Sequence, residues 1–162
     1  MAGKRQTLGR KLGKFAALVL ALPVLILVLP LALVAITLHL LHRLALYLLV
    51  WALWLPNGRN VLVVLSDSPV WRDYMWGEIV PLVRGRAVVL NWSERKKWAR
   101  WSFAPHVFRA FGGRRDFNPL VVVFRPLRRA EVLRFWQAFK DWKHGNTEPV
   151  GRLKQRLAAA LW

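Results

Sequence analysis

The sequence predicts a membrane-anchored α/β protein, with an apolar N-terminal segment in a bilayer and a small basic domain on a parallel sheet. Three observations predict it. Residues 15–38 form a run of 24 without a charge, longer than the ~20 needed to cross a hydrocarbon core of ~30 Å. The chain joins 56% hydrophobic residues to a formal net charge of +18, which separates it from charged disordered tails. Beyond Pro56, short β-branched runs alternate with helix-length segments, as in β-α-β units.

The anchor comes first. A buried soluble helix this apolar would need a core on every side, and the remaining chain is too small to supply one. A cleaved signal peptide would fit the basic start of Lys4, Arg5, Arg10, Lys11 and Lys14. Its apolar run would be only ~7–15 residues, and no small-residue cleavage site follows. Apolarity resumes after His39, His42 and Arg43 and continues to Leu55, for 41 residues in all. One straight helix of that length would measure about 60 Å, near twice the hydrocarbon thickness. The expectation is therefore an N-terminal transmembrane helix or helical hairpin. Residues 15–38 span, residues 39–55 form a second span or an interfacial helix, Pro23 and Pro30 kink the first half, and Arg43 snorkels to the far headgroups. Against the hairpin, the stretch His39–Arg43 has no Gly, Asn or Pro for a sharp turn. For it, five basic residues precede Phe15 and twenty follow Leu55, with Arg43 alone between them. Positive-inside then puts both ends on the cytoplasmic side of the cytoplasmic membrane.

Pro56-Asn57-Gly58 is a breaker cluster, and all eight acidic residues lie beyond it. The chain divides into a basic N-terminus at 1–14, an embedded segment at 15–56, an α/β domain at 57–148 and an amphipathic helix at 149–162. Three strands are expected, Val61–Leu65, Ala87–Leu90 and Leu120–Phe124, each apolar on both faces as parallel strands covered by helices are. Helices fill the gaps. One covers 69–83, with Pro69 in its first turn; one covers 93–111 and stops at Gly112-Gly113. A third covers 129–144, placing Val132, Leu133, Trp136 and Phe139 at helical spacing. In the last segment Leu153, Leu157 and Leu161 are four apart, which suits a helix lying on a membrane or one packed on the sheet. The order β-α-β-α-β-α loosely resembles half of a Rossmann-type sheet, a likeness of fold that does not establish activity.

In a parallel sheet, ligands bind beyond the carboxyl ends of the strands. Those ends carry Ser66-Asp67-Ser68, Asn91-Trp92-Ser93-Glu94 and Arg125-Pro126-Leu127-Arg128-Arg129. If all three strands run in parallel, Asp67, Glu94 and Arg125 form a candidate catalytic trio. Ser66, Ser68, Asn91, Ser93, Arg128 and Arg129 are then candidate ligand-binding residues for a phosphate-bearing group. The plainer reading is that Ser68, Asn91 and Ser93 cap helices and that Glu94 suits a helix dipole. No cofactor is identified: nothing matches G-x-G-x-x-G or a P-loop. No metal site is expected either, because the chain has no Cys and no carboxylate lies near His39 and His42 in sequence.

The charge selects anionic partners, and ten Trp favour lipid headgroups among them. Residues 94–111 interleave Arg95, Lys96, Lys97, Arg100 and Arg109 with Trp98, Trp101, Phe103, Phe108 and Phe111. Membrane-surface helices and nucleic-acid grooves both do this. Three functions are carried forward. The first is an enzyme handling a phosphate-bearing lipid or sugar at the membrane surface. The second is a non-catalytic adaptor whose basic aromatic surface docks to anionic lipid or to a membrane complex. Nucleic-acid binding is third.

Overall fold

A computed structural model describes the backbone of residues 2–113 and 118–161, and within that range the side chains from residue 25 onward. The chain forms two compact units, Met1–His42 and Arg43–Trp162.

The N-terminal segment is a single helix, α1 (Ala2–Leu53), with no break at His39–Arg43. This corrects the hairpin. Leu and Ala are strong helix formers, and no residue in HLLHR halts a helix. In the first unit Leu25, Ile26, Leu27, Val28 and Leu29 are each more than half exposed. Five consecutive positions cover every side of a helix, so no face of this stretch is packed. Among the described residues, one stretch, Leu25–Asn57, is long and apolar enough to cross a membrane, with mean hydropathy 2.4.

The second unit begins with the last turns of α1. Leu46, Val50 and Trp54 are buried; four apart, they make one stripe along the helix. A 3₁₀ turn (Leu55–Asn57) ends on Gly58, whose φ of 69° closes the turn left-handed, a conformation glycine adopts without strain.

From there β1 (Val61–Leu65) enters a four-stranded sheet of order β2-β1-β3-β4, with β2 (Ala87–Asn91), β3 (Leu120–Val123) and β4 (Glu131–Arg134). Strands β1 and β2 are parallel. They are joined through α2 (Arg72–Tyr74), a π turn (Met75–Ile79) and α3 (Val80–Leu82). Strand β3, however, runs antiparallel to β1, and β4 antiparallel to β3. The sheet is therefore mixed and four-stranded, not parallel and three-stranded. The run LVVV is buried throughout, and burial on both faces makes a strand read alike in either direction. The fourth strand was hidden in the expected helix at 129–144. Leu133 and Val132 turn to opposite faces of β4, one in each core cluster, and α5 begins only at Trp136 (Trp136–Lys143). The expected helix at 93–111 also divides, into a 3₁₀ turn (Trp92–Lys97) and α4 (Phe103–Phe111).

Each face of the sheet has its own core. On one side Val61, Val63 and Leu65 pack with Met75, Ile79, Phe139 and Leu157, the last from α6 (Glu148–Leu161). Leu153 and Leu161 pack against the same cluster, so the apolar face of α6 covers the sheet. On the other side Leu62, Val64, Val122 and Phe124 pack with Val107 and Phe108 of α4, with Val50 of α1 and with Trp54 just beyond its end.

Trp54 meets Phe103 and Phe124 edge to face, at 5.4 and 6.1 Å between centroids, whereas Leu49 is 43% exposed. Trp54→Ala should therefore lower unfolding free energy by about 3–5 kcal/mol, and Leu49→Ala by no more than about 0.5 kcal/mol. Denaturant titration in detergent would check both, and equal effects would contradict the packed stripe.

Candidate functional site

The direction of β3 divides the predicted residues between two ends of the sheet. Leu65 of β1 is level with Asn91 of β2, so Ser66-Asp67-Ser68 and Asn91-Trp92-Ser93 do share an edge. Arg125 emerges at the opposite edge, where the Phe124 N–H donates to the Asn60 carbonyl at 2.8 Å. A strand of five residues, about 16 Å, lies between. Asp67 and Arg125 are not brought together.

At the first edge the polar side chains bind one another. Asn91 Nδ2 donates to both Asp67 carboxylate oxygens, at 3.1 and 3.2 Å. The Asp67 N–H donates to Ser93 Oγ at 3.0 Å. The Ser93 N–H donates to Asn91 Oδ1 at 3.0 Å, which makes Asn91 the cap of the 3₁₀ turn. Buried Ser66 accepts from Trp71 Nε1 at 3.2 Å. Ser68 contributes its carbonyl, accepting from the Arg72 N–H at 2.9 Å. The result is a clasp joining the ends of β1 and β2. Glu94 is not in it; it pairs with Lys97 at 3.0 Å, both side chains being exposed.

At the second edge Glu131 holds two guanidiniums, Arg125 at 2.5 Å and Arg156 at 3.1 Å. Tyr47 of α1 donates to the Arg125 carbonyl at 2.6 Å and also to that of Arg128. This ties the β3–β4 connection to α1. At its tip Leu127 has φ 57° and is 90% exposed, with Arg128 and Arg129 exposed beside it. Neither of those two guanidiniums has an ion-pair partner among the described residues.

The aromatic-basic stretch resolves into a packed side and a wet side. Phe108 is buried, and Trp98, Phe103 and Phe111 pack against the same core. Trp101 alone stands out, 86% exposed, with Lys96, Lys97 and Arg100 exposed nearby in sequence. Sequence reasoning marked this region but could not separate Trp101 from its packed neighbours. It missed Tyr47 and Glu131, whose partners are remote in the chain. Among the described residues no group of three or more His, Asp or Glu is placed to hold a metal ion.

Two groups on the far face of the sheet titrate away from their ordinary values. Burial pushes the Tyr74 phenol up, with Lys154 opposing and Glu78 adding. The Glu78 carboxylate, accepting from Lys154 Nζ at 2.5 Å, raises that ammonium.

No protein-family model matches the chain, and neither a curated protein nor a solved structure is significantly similar to it.

Two outcomes are expected. Asn91→Ala removes a cap and the Asp67 contact together and should cost about 1–3 kcal/mol. Asp67→Asn keeps an acceptor for Asn91 and should change stability by less than about 1 kcal/mol; denaturant titration measures both. For pH, folded values above the unfolded ones of about 10 for Tyr and 10.4 for Lys give stability that is complete below pH ~10 and lost above it. Glu78→Gln removes an upward push on both groups and should flatten that alkaline loss, read from melting temperature against pH.

Proposed function

We propose that the protein is a single-pass membrane adaptor, with residues 15–38 crossing the bilayer and the basic α/β domain docking to an anionic partner surface without performing chemistry. The observation that carries this reading is the division of the polar residues between two edges. Arg125 does not stand opposite Asp67, Asp67 is bound by Asn91, and Arg125 is held by Glu131.

The membrane part rests on exposure. Leaving a Leu, Ile or Val side chain in water rather than burying it costs about 1.5–3 kcal/mol each, and residues 25–41 of α1 carry large aliphatics on every side. A bilayer removes that cost. With one unbroken helix, a single crossing leaves the two ends on opposite sides. Five basic residues lie within positions 4–14, and Arg43 is the one Lys or Arg between Phe15 and Arg59. Positive charge near the span ends therefore favours a cytoplasmic N-terminus and a domain on the outer face, in place of the both-ends-inside arrangement that a hairpin would give.

For the docking part, Trp101 is the natural anchor. Trp and Arg dominate interface energetics, and Lys96 and Arg100 supply charge complementary to an acidic face of a membrane complex.

Reporters fused at each end in turn should be active on opposite sides of the membrane; activity on one side only would overturn the single crossing. In complementation of a deletion strain, Asp67→Asn and Arg125→Lys should behave as wild type, while Trp101→Ala combined with Arg100→Glu should fail at unchanged stability. Loss of function in Asp67→Asn with intact folding would restore the catalytic reading.

A further inference from the structure

We infer that the β3–β4 hairpin tip is a second membrane contact, seating Leu127 among anionic lipid headgroups with Arg128 and Arg129 on the phosphates. This inference rests on the membrane reading of α1.

Four observations meet at this loop. Its tip exposes an aliphatic side chain almost completely: Leu127 is 90% exposed. Two guanidiniums without ion-pair partners among the described residues, Arg128 and Arg129, follow it directly, while Glu131 has already engaged Arg125. The backbone is fixed in a left-handed conformation that L-residues rarely adopt, since Leu127 has φ 57°, and the Tyr47 hydroxyl reaches the carbonyls on either side of the turn. A free loop would relax away from it. Finally, exposed Leu44 and Leu48 lie within one turn of Tyr47 on α1, so apolar surface accompanies the residue that holds the turn, and tyrosine is itself favoured at membrane–water interfaces.

Anionic lipid fits this chemistry. An aliphatic tip enters the acyl boundary, and guanidiniums beside it pair with lipid phosphates through charge-assisted hydrogen bonds. A phosphate-bearing soluble ligand would use the arginines but leave Leu127 in water.

The chain has no Cys, so single-cysteine variants of the full-length protein can carry an environment-sensitive fluorophore. Leu127→Cys, Trp101→Cys and Leu31→Cys would be labelled and reconstituted into vesicles of phosphatidylcholine alone or with phosphatidylglycerol, each containing spin-labelled lipid quenchers at shallow or deep positions. The label at 127 should be blue-shifted and quenched by shallow spin labels, more so with phosphatidylglycerol, and the label at 101 should remain aqueous. Adding Arg128→Glu and Arg129→Glu should abolish the phosphatidylglycerol enhancement. If the label at 31 is quenched by deep spin labels while that at 127 is as aqueous as that at 101, the hairpin contact is wrong and the anchor stands. Equal quenching of the 127 label in both vesicles overturns the anionic preference. An unquenched label at 31 overturns the membrane reading itself.

Discussion

Everything in the second unit follows from β1 being buried on both faces. All five of its residues are buried, so the sheet needs a layer of helices on each side. One face is covered by the helical segment at 72–82, α5 and α6. For the other, the chain after Pro56 offers α4, with only nine residues. The deficit is met by the last turns of α1 and the residue after them: Val50 and Trp54 join Leu62, Val64 and Phe124 in one cluster. The end of the apolar helix is thus part of the domain's core, and the domain cannot be cut at Pro56 without opening that face.

That recruitment also fixes the second edge. Because α1 lies against the cluster containing Phe124, its Tyr47 reaches the residues that follow β3 and holds the carbonyls of Arg125 and Arg128. The direction of β3 then decides what the polar residues can do. Were it parallel, Arg125 would face Asp67 and a phosphate could bridge them. Running antiparallel, it gives one edge a closed clasp of Asp67, Asn91 and Ser93, and gives the other an array of arginines tied to α1.

The sequence made some of this legible and concealed the rest, for identifiable reasons. An uncharged run long enough to span a bilayer announces itself, as do short apolar strands such as Val61–Leu65. The capping role of Asn91 was readable too, from a short polar side chain at a strand end. Strand direction was not, because LVVV buried on both faces has the same pattern either way. Strand β4 escaped because Val132 and Leu133 fit a helical period when joined to Trp136 and Phe139, and only pairing with β3 chooses between the two. The continuous helix could have been anticipated from the missing breaker in His39–Arg43, but charge balance argued for a turn. Contacts such as Tyr47 with Arg128, or Glu131 with Arg156, join distant residues and leave no local trace.

The distribution of charge in the folded domain sharpens what its surplus means. Glu78, Glu94, Glu131 and Glu148 are each paired with basic side chains, Glu131 with two. Pairs as exposed as Glu94 with Lys97 contribute ~0–1 kcal/mol, so they serve mainly to neutralise. Together they engage five basic side chains, and the chain's formal net charge is +18. Such a surplus repels itself and weakens the compact state, a burden that an anionic surface would relieve while the domain is docked. Arg128 and Arg129 lie on the connection that Tyr47 fixes to α1, where docking to a bilayer would place the relief, and Lys96 and Arg100 lie near Trp101, the most exposed tryptophan among the described residues. On the proposed reading the net charge would act through surface sites beside exposed apolar side chains, where electrostatic attraction and burial would reinforce each other.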